Sequence, residues 1–185
     1  LERVLGFTAG NNASVAFDAK TSTILYTAGC VVVAESCTTG QQNFIQSPSR
    51  KLITCLDASP DGQFLATGEF GHQPKVRLWS RANHCQVAEF SSHHFRVSCV
   101  RFCPNSRNLV SVGNQDDQTI CVWDRVQLQK IASAKVTAKD VQQGALKVLR
   151  CRVAGMTASS EAENQTAMSS FSYDFYVNLW IFEYV

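Results

Sequence analysis

Short runs that alternate apolar and polar residues recur along this chain, each closed by turn-forming residues. Lys75-Val-Arg-Leu-Trp79 and Thr119-Ile-Cys-Val-Trp123 show the pattern. A period of two over so few residues predicts half-buried β-strands. One set of strands is expected at 53–56, 64–67, 75–79 and 85–90, and a second at 97–102, 109–112, 119–123 and 128–132. Ser59-Pro-Asp-Gly62 and Pro104-Asn-Ser106 lie between the first two strands of each set, with turn residues placed to bend the chain. Before them, 14–18 and 24–29 match the first two strands of such a set. Gly29-Cys30-Val31 then leads into a third strand with almost no loop, and Cys30-Val-Val-Val-Ala34 reads as buried.

The two well-formed sets are copies of one another. Pro60 to Pro104 and Trp79 to Trp123 are both separations of 44 residues. A repeat of about 40–45 residues ending in Trp-Asp marks a β-propeller blade. The expected fold class is therefore all-β, with about three to four blades of a partial propeller. The repeats divide at roughly 1–46, 47–91, 92–133 and 134–185. The first lacks the terminal Trp. The last is irregular: Val177-Asn-Leu-Trp180 copies Val76-Arg-Leu-Trp79 but ends 57 residues after Trp123, which puts extra length at 142–170. Within it, 157–166 carries no strand or helix period and reads as a mobile loop or an insertion. Blades bury their faces only against neighbours, so an open arc would expose two of them. The chain thus reads as part of a larger propeller, not a ring closed at four, and the missing initial Met suggests a fragment.

Composition narrows the partners. The 185 residues are 45% apolar, ordinary for a soluble globular chain. A formal charge of +2, with Lys and Arg scattered, does not imply nucleic acid. No apolar run approaches a membrane span, and the N-terminus lacks the shape of a signal peptide. The eight cysteines include no C-x-x-C pair. They read as free thiols packed among apolar residues in a reducing, cytoplasmic setting. No metal or cofactor is expected.

Candidate chemistry is sparse. His93, Ser111, Asp117 and Trp123 stand at the offsets of a hydrogen-bonded structural network within one blade. Ser, His and Asp also invite a hydrolase reading, but no G-x-S-x-G elbow accompanies them. The second repeat has Ser49 and Gln73 in place of the His and Asp, so its stability is expected to come mainly from packing. Gly68-Glu-Phe-Gly-His72 has no Lys and precedes no helix, so it is not a phosphate loop. Arg77, Arg96 and Arg101 interleave with apolar residues. They form either a basic face for acidic partners or ordinary solvated alternation. Inter-strand loops gather on one face of a propeller and are the expected binding surface. Here they are Arg50-Lys51, 70–73, 94–96 and Gln115-Asp116. Phe70 and Phe95 are the candidate anchors, with His72, His94 and Arg96 beside them; the alternative is that both rings tuck between blades.

A family resemblance follows from several segments. Leu1-Glu-Arg-Val-Leu-Gly6, Ala28-Gly-Cys-Val-Val-Val33, Gln86-Val-Ala-Glu89 and above all Thr67-Gly-Glu-Phe-Gly-His-Gln-Pro-Lys-Val-Arg-Leu-Trp79 resemble the mitogen-activated protein kinase-binding WD-repeat scaffolds. That group includes a centrosomal, spindle-pole scaffold. The resemblance is lost over 142–170. It implies the start of the first of two tandem propellers, in a non-catalytic scaffold that binds proteins, among them Jun N-terminal kinases, mitotic kinases or centrosomal proteins. It also implies a place in the cytoplasm, at the centrosome, the spindle pole or the cytoskeleton. Kinase-docking segments of such scaffolds lie beyond the propellers. Two alternatives stay open: a truncated, non-functional product of a scaffold gene, and a microtubule-associated propeller with a similar Thr-Gly loop.

Overall fold

The computed structural model describes residues 2–8, 12–18 and 20–135, and the backbone of two further strands at 149–153 and 177–181. Three four-stranded antiparallel sheets follow one another in chain order. Blade one is β1 (Val15–Asp18), β2 (Thr23–Ala28), β3 (Val31–Ser36) and β4 (Gln42–Gln46). Blade two is β5 (Ile53–Ala58), β6 (Phe64–Glu69), β7 (Lys75–Ser80) and β8 (Gln86–Ser91). Blade three is β9 (Val97–Phe102), β10 (Asn108–Gly113), β11 (Thr119–Asp124) and β12 (Gln129–Lys135). The all-β class and the repeated sheets agree with the sequence pattern.

Local chemistry explains the bends. Gly62 turns at φ 73° and its N–H donates to the Ser59 carbonyl. Ser106 takes the same place in blade three at φ 55°, with its N–H on the Cys103 carbonyl. A left-handed residue there is the feature both turns share. The register also repeats: Leu65 faces Trp79 across β6–β7, and Leu109 faces Trp123 across β10–β11. A bulge follows each pairing, between Leu78 and Trp79 and between Val122 and Trp123.

The core lies between blades. Leu25, Val32, Ala34 and Ile45 of blade one close on Ile53, Leu56, Leu65 and Trp79 of blade two. Cys55, Ala66, Val76, Leu78 and Phe90 of blade two close on Val97, Val100, Leu109 and Trp123 of blade three. Each large side chain so buried contributes about 1.5–3 kcal/mol relative to exposure. Phe90 stacks on Trp123 with ring centroids 4.8 Å apart. Gly68 is required at this seam: a Cβ there would lie 2.6 Å from Cys55 Sγ and from Val97.

Blade one shows what an uncovered face looks like. Val15, Phe17 and Ile24 hold the positions of Leu56, Ala58 and Leu65, yet they are exposed. Glu35 stands where blade two has Trp79, opposite Ile24. Tyr26 and Gln42 donate to its carboxylate at 3.1 and 3.0 Å.

A two-stranded ribbon, β13 (Leu149–Val153) with β14 (Val177–Ile181), pairs Trp180 with Arg150. β14 is the copy of the Val-Arg-Leu-Trp strand. β13 falls inside 142–170, where the sequence offered only extra, irregular length. Five residues of the segment form a paired strand, which the spacing did not locate. The stretch 157–166 lies outside the described residues. Among the described residues, no helix is long and apolar enough to cross a membrane.

Candidate functional site

In blade three a relay of four side chains runs from the loop before β9 to the end of β11. Trp123 Nε1 donates to Ser111 Oγ at 2.8 Å. His93 Nε2 lies 2.8 Å from the same hydroxyl, and His93 Nδ1 lies 2.5 Å from Asp117 Oδ2. Nδ1 also lies 3.2 Å from Thr119 Oγ1, and a neutral ring satisfies the contacts to Ser111 and Asp117. The Ser111 hydroxyl donates to Nε2, and the neutral imidazole donates through Nδ1 to Asp117. Burial pushes the His93 pKa down, against the pull of the Asp117 carboxylate, so the neutral ring fits its surroundings. Gly113 makes room for the carboxylate: a Cβ there would lie 2.2 Å from Asp117 Oδ2.

This set has the order of a hydrolytic triad but not its access. Ser111 is fully buried, and His93 and Asp117 are nearly so. The Ser111 oxygen already accepts from an indole. A nucleophile must reach substrate beside oxyanion donors, and the cavity lined by Glu2, Arg3, Gly40, Gln41, Gln42 and Asn43 contains none of the four. The arrangement ties strands together.

Blade two adds polar contacts to its packing. Without the His and Asp it does not rely on packing alone. Trp79 Nε1 still donates to Thr67 Oγ1 at 2.9 Å. Beside it the Glu69 carboxylate, wholly buried, accepts from Ser47 and Ser49 at 2.7 and 2.5 Å. The Arg77 guanidinium donates to Glu69 at 2.9 Å and to Glu89 at 2.6 Å. Burial pulls the Glu69 pKa up, but hydrogen bonds from Arg77, Ser49, Ser47 and the Lys75 N–H outweigh it and hold the pKa below its ordinary value. Arg77 is therefore buried and paired, not part of a solvated strand face. Arg101 is also committed, donating to Asp57 at 3.0 Å.

The five residues expected to bind partners meet at the seam of blades two and three. Phe70 stands opposite Arg96 across an antiparallel bridge. The Gly71 N–H donates to the Phe95 carbonyl at 2.8 Å, and the Gln73 N–H to the His94 carbonyl at 2.9 Å. Lys51 Nζ donates to the His72 carbonyl at 2.6 Å. Phe70 and Phe95 are 50% and 52% exposed, so neither ring is tucked between blades. His72 and His94 are exposed and Arg96 is half-buried.

The cysteines divide: Cys37 and Cys85 are exposed free thiols and Cys30 is half-buried. Cys55, Cys99 and Cys121 are buried free thiols, and burial pushes Cys99 up to about 11. Cys103 is disulfide-bonded, which corrects the expectation of free thiols throughout. Among the described residues, no group of three or more His, Cys, Asp or Glu is placed to hold a metal.

Repeated four-stranded sheets, a Trp at the end of the third strand in blades two and three, and a hydroxyl beneath each Trp define WD-repeat propeller blades. The family described as WD domain, G-beta repeat matches the chain over residues 40–80 and 84–124. Among curated proteins it is similar to mitogen-activated protein kinase-binding protein 1 of Mus musculus, 45% identical over 98 residues, covering 53% of this chain and 6% of that protein. It is 42% identical over 99 residues to WD repeat-containing protein 62 of Mus musculus, covering 54% of this chain and again 6% of the relative. Similarity to the human cilia- and flagella-associated protein 52 is lower, at 27%, but spans 82% of this chain and 25% of that one. The matched stretch is thus a small part of these relatives. Among solved structures, the RRP9 WD40 repeats superpose with a TM-score of 0.59 at 19% identity, covering 68% of this chain and 40% of theirs. That likeness shows the fold.

Of the residues that matter here, sequence reasoning missed Glu69, Ser47 and Glu89, and read Arg77 as exposed where it is buried and paired. Glu69 and Arg77 both lie inside the Thr67-to-Trp79 motif. Gly113 stands at the matched offset of Glu69, so the repeat spacing does not mark the pair.

Proposed function

We propose that this chain is a non-catalytic, protein-binding part of a scaffold, with repeats at about 1–46, 47–91, 92–133 and 134–185. The observation that carries the reading is the seam surface. Two half-exposed phenyl rings sit on hydrogen-bonded neighbouring loops, with Arg96, His72 and His94 around them. Large aromatic and Arg side chains dominate interface energy, and a loop pair fixed by backbone hydrogen bonds loses little entropy on docking.

The finer reading is a kinase-signalling or centrosome and spindle scaffold, acting in the cytoplasm. Its support is the similarity to mitogen-activated protein kinase-binding protein 1 and WD repeat-containing protein 62. A cytoskeletal or microtubule-associated propeller is the second reading, favoured by the longer match to cilia- and flagella-associated protein 52.

The test is a pulldown from cytosolic extract with the wild-type chain and a Phe70→Ser, Arg96→Glu double variant, with folding checked by near-ultraviolet circular dichroism. The reading expects partners that the folded variant loses. A folded variant that keeps every partner sinks it.

A further inference from the structure

Three arginines interleave with apolar residues around blades two and three, and the structure separates them. Arg77 is spent on Glu69 and Glu89, and Arg101 on Asp57. Arg96 makes no hydrogen bond or ion pair with its side chain among the described residues, and its Nε is buried with no partner. That buried Nε is closed to an outside ligand, but the side chain is half-exposed and no described acid pairs with it, so its charge is left uncompensated at this surface. It is also not alone. Arg50 is exposed on the adjoining loop. Lys51 donates to the neutral His72 and Gln73 carbonyls at 2.6 and 3.3 Å, so its charge is fixed beside Gly71 but has no acid as partner there. Asp116 is the opposing acid on the next loop, and it already accepts from Asn114 at 2.7 Å. Glu69 is buried under Arg77.

The surface therefore combines two cations from one loop, an unpaired guanidinium from the next, and the exposed rings of Phe70 and Phe95. We propose that it takes an extended acidic segment of a partner protein, with an apolar side chain against Phe70 or Phe95 and an Asp or Glu on Arg96. This deepens the scaffold reading and rests on it. Carboxylate suits the site because a guanidinium fork matches it in two parallel hydrogen bonds. A nucleic-acid backbone would call for a longer basic track than three cations, and the whole chain carries only +2.

The experiment selects peptides from a random dodecapeptide display library on the immobilised wild-type chain, then measures the winners by fluorescence anisotropy. Expected are winners that pair Asp or Glu with Leu or an aromatic residue. Their affinity should fall about tenfold or more on Arg96→Glu, as for a desolvated charge pair, and fall between about 50 and about 500 mM NaCl as screening grows. Exchanging the critical acid of the peptide for Lys should restore binding to Arg96→Glu, a rescue that a merely misfolded variant would not give. The proposal is overturned if no peptide is enriched, if the winners carry no acidic bias, or if they bind Arg96→Glu as tightly as wild type. Tighter binding of a labelled oligouridine than of any peptide also overturns it. Neutral winners, together with partners lost from the double variant in extract, would remove the acidic chemistry and leave the scaffold reading standing. Partners retained by that variant would remove both.

Discussion

Blades two and three share a frame and differ in what is buried inside it. Trp79 and Trp123 stand in the same register, each donating to a hydroxyl on the neighbouring strand. Above that point the chemistry diverges. Where blade three has Gly113 and Asp117, blade two has Glu69 and Gln73, each pair offset by 44 residues. The carboxylate arrives from the β10–β11 loop in one blade and from the end of β6 in the other. Each meets a side chain on the loop leading into the first strand of its blade: His93 before β9 for Asp117, and Ser49 before β5 for Glu69. The frame thus demands a buried acceptor that ties the preceding loop to the sheet, and it accepts more than one residue set. The sets differ in charge. Glu69 has a guanidinium beside it, whereas Asp117 faces a neutral ring and leaves Oδ1 without a partner among the described residues.

That difference sets the size of the expected losses. Arg77→Met should destabilise the chain most, by about 3–5 kcal/mol, because it strands a buried carboxylate. Chemical denaturation measures it, and adding Glu69→Met to the same chain should recover part of the loss. A loss under about 1 kcal/mol would mean that the serines and the Lys75 N–H suffice for Glu69.

Asp117→Ala comes next, at about 1–3 kcal/mol, the range for leaving buried partners unsatisfied. The same denaturation series tests it. An unchanged midpoint would show that Ser111 and Trp123 hold without the carboxylate. The smallest effect belongs to the surface seam. Phe70→Ser should change stability by no more than about 0.5 kcal/mol, as for exposed positions generally. A larger loss would show that the ring supports the Phe70–Arg96 bridge and is no free anchor.

How much of this was legible in the sequence follows from the same comparison. The strand frame was readable because Trp79 and Trp123, Pro60 and Pro104 repeat at one spacing and the alternation fixes which face is buried. The His93 relay was readable for the same reason. The Glu69 network was not, because it fills equivalent space from a non-equivalent position, and alignment by offset sees only that His and Asp are missing. Arg77 misled for a related reason. A charged residue in strand alternation normally faces water, and only its partner's burial shows otherwise. β13 was hidden because no turn motif precedes it and the spacing to its partner strand is irregular.

Two different ionisable sets hold equivalent places in blades two and three, and blade-resolved hydrogen exchange across pH separates them. His93 titrates below its ordinary 6.5 in the folded chain, so the unfolded chain takes up its proton first as pH falls. Blade three should therefore lose protection as pH drops from about 6.5, because acid favours opening. Glu69 is also held below its ordinary 4.5, and its contribution is present above that value and lost only below it. At a pH between these two values the amides of β9–β11 should exchange faster than at neutrality, after correction for intrinsic rates, while those of β5–β7 should not. Equal loss in both blades, or loss in blade two first, would contradict it.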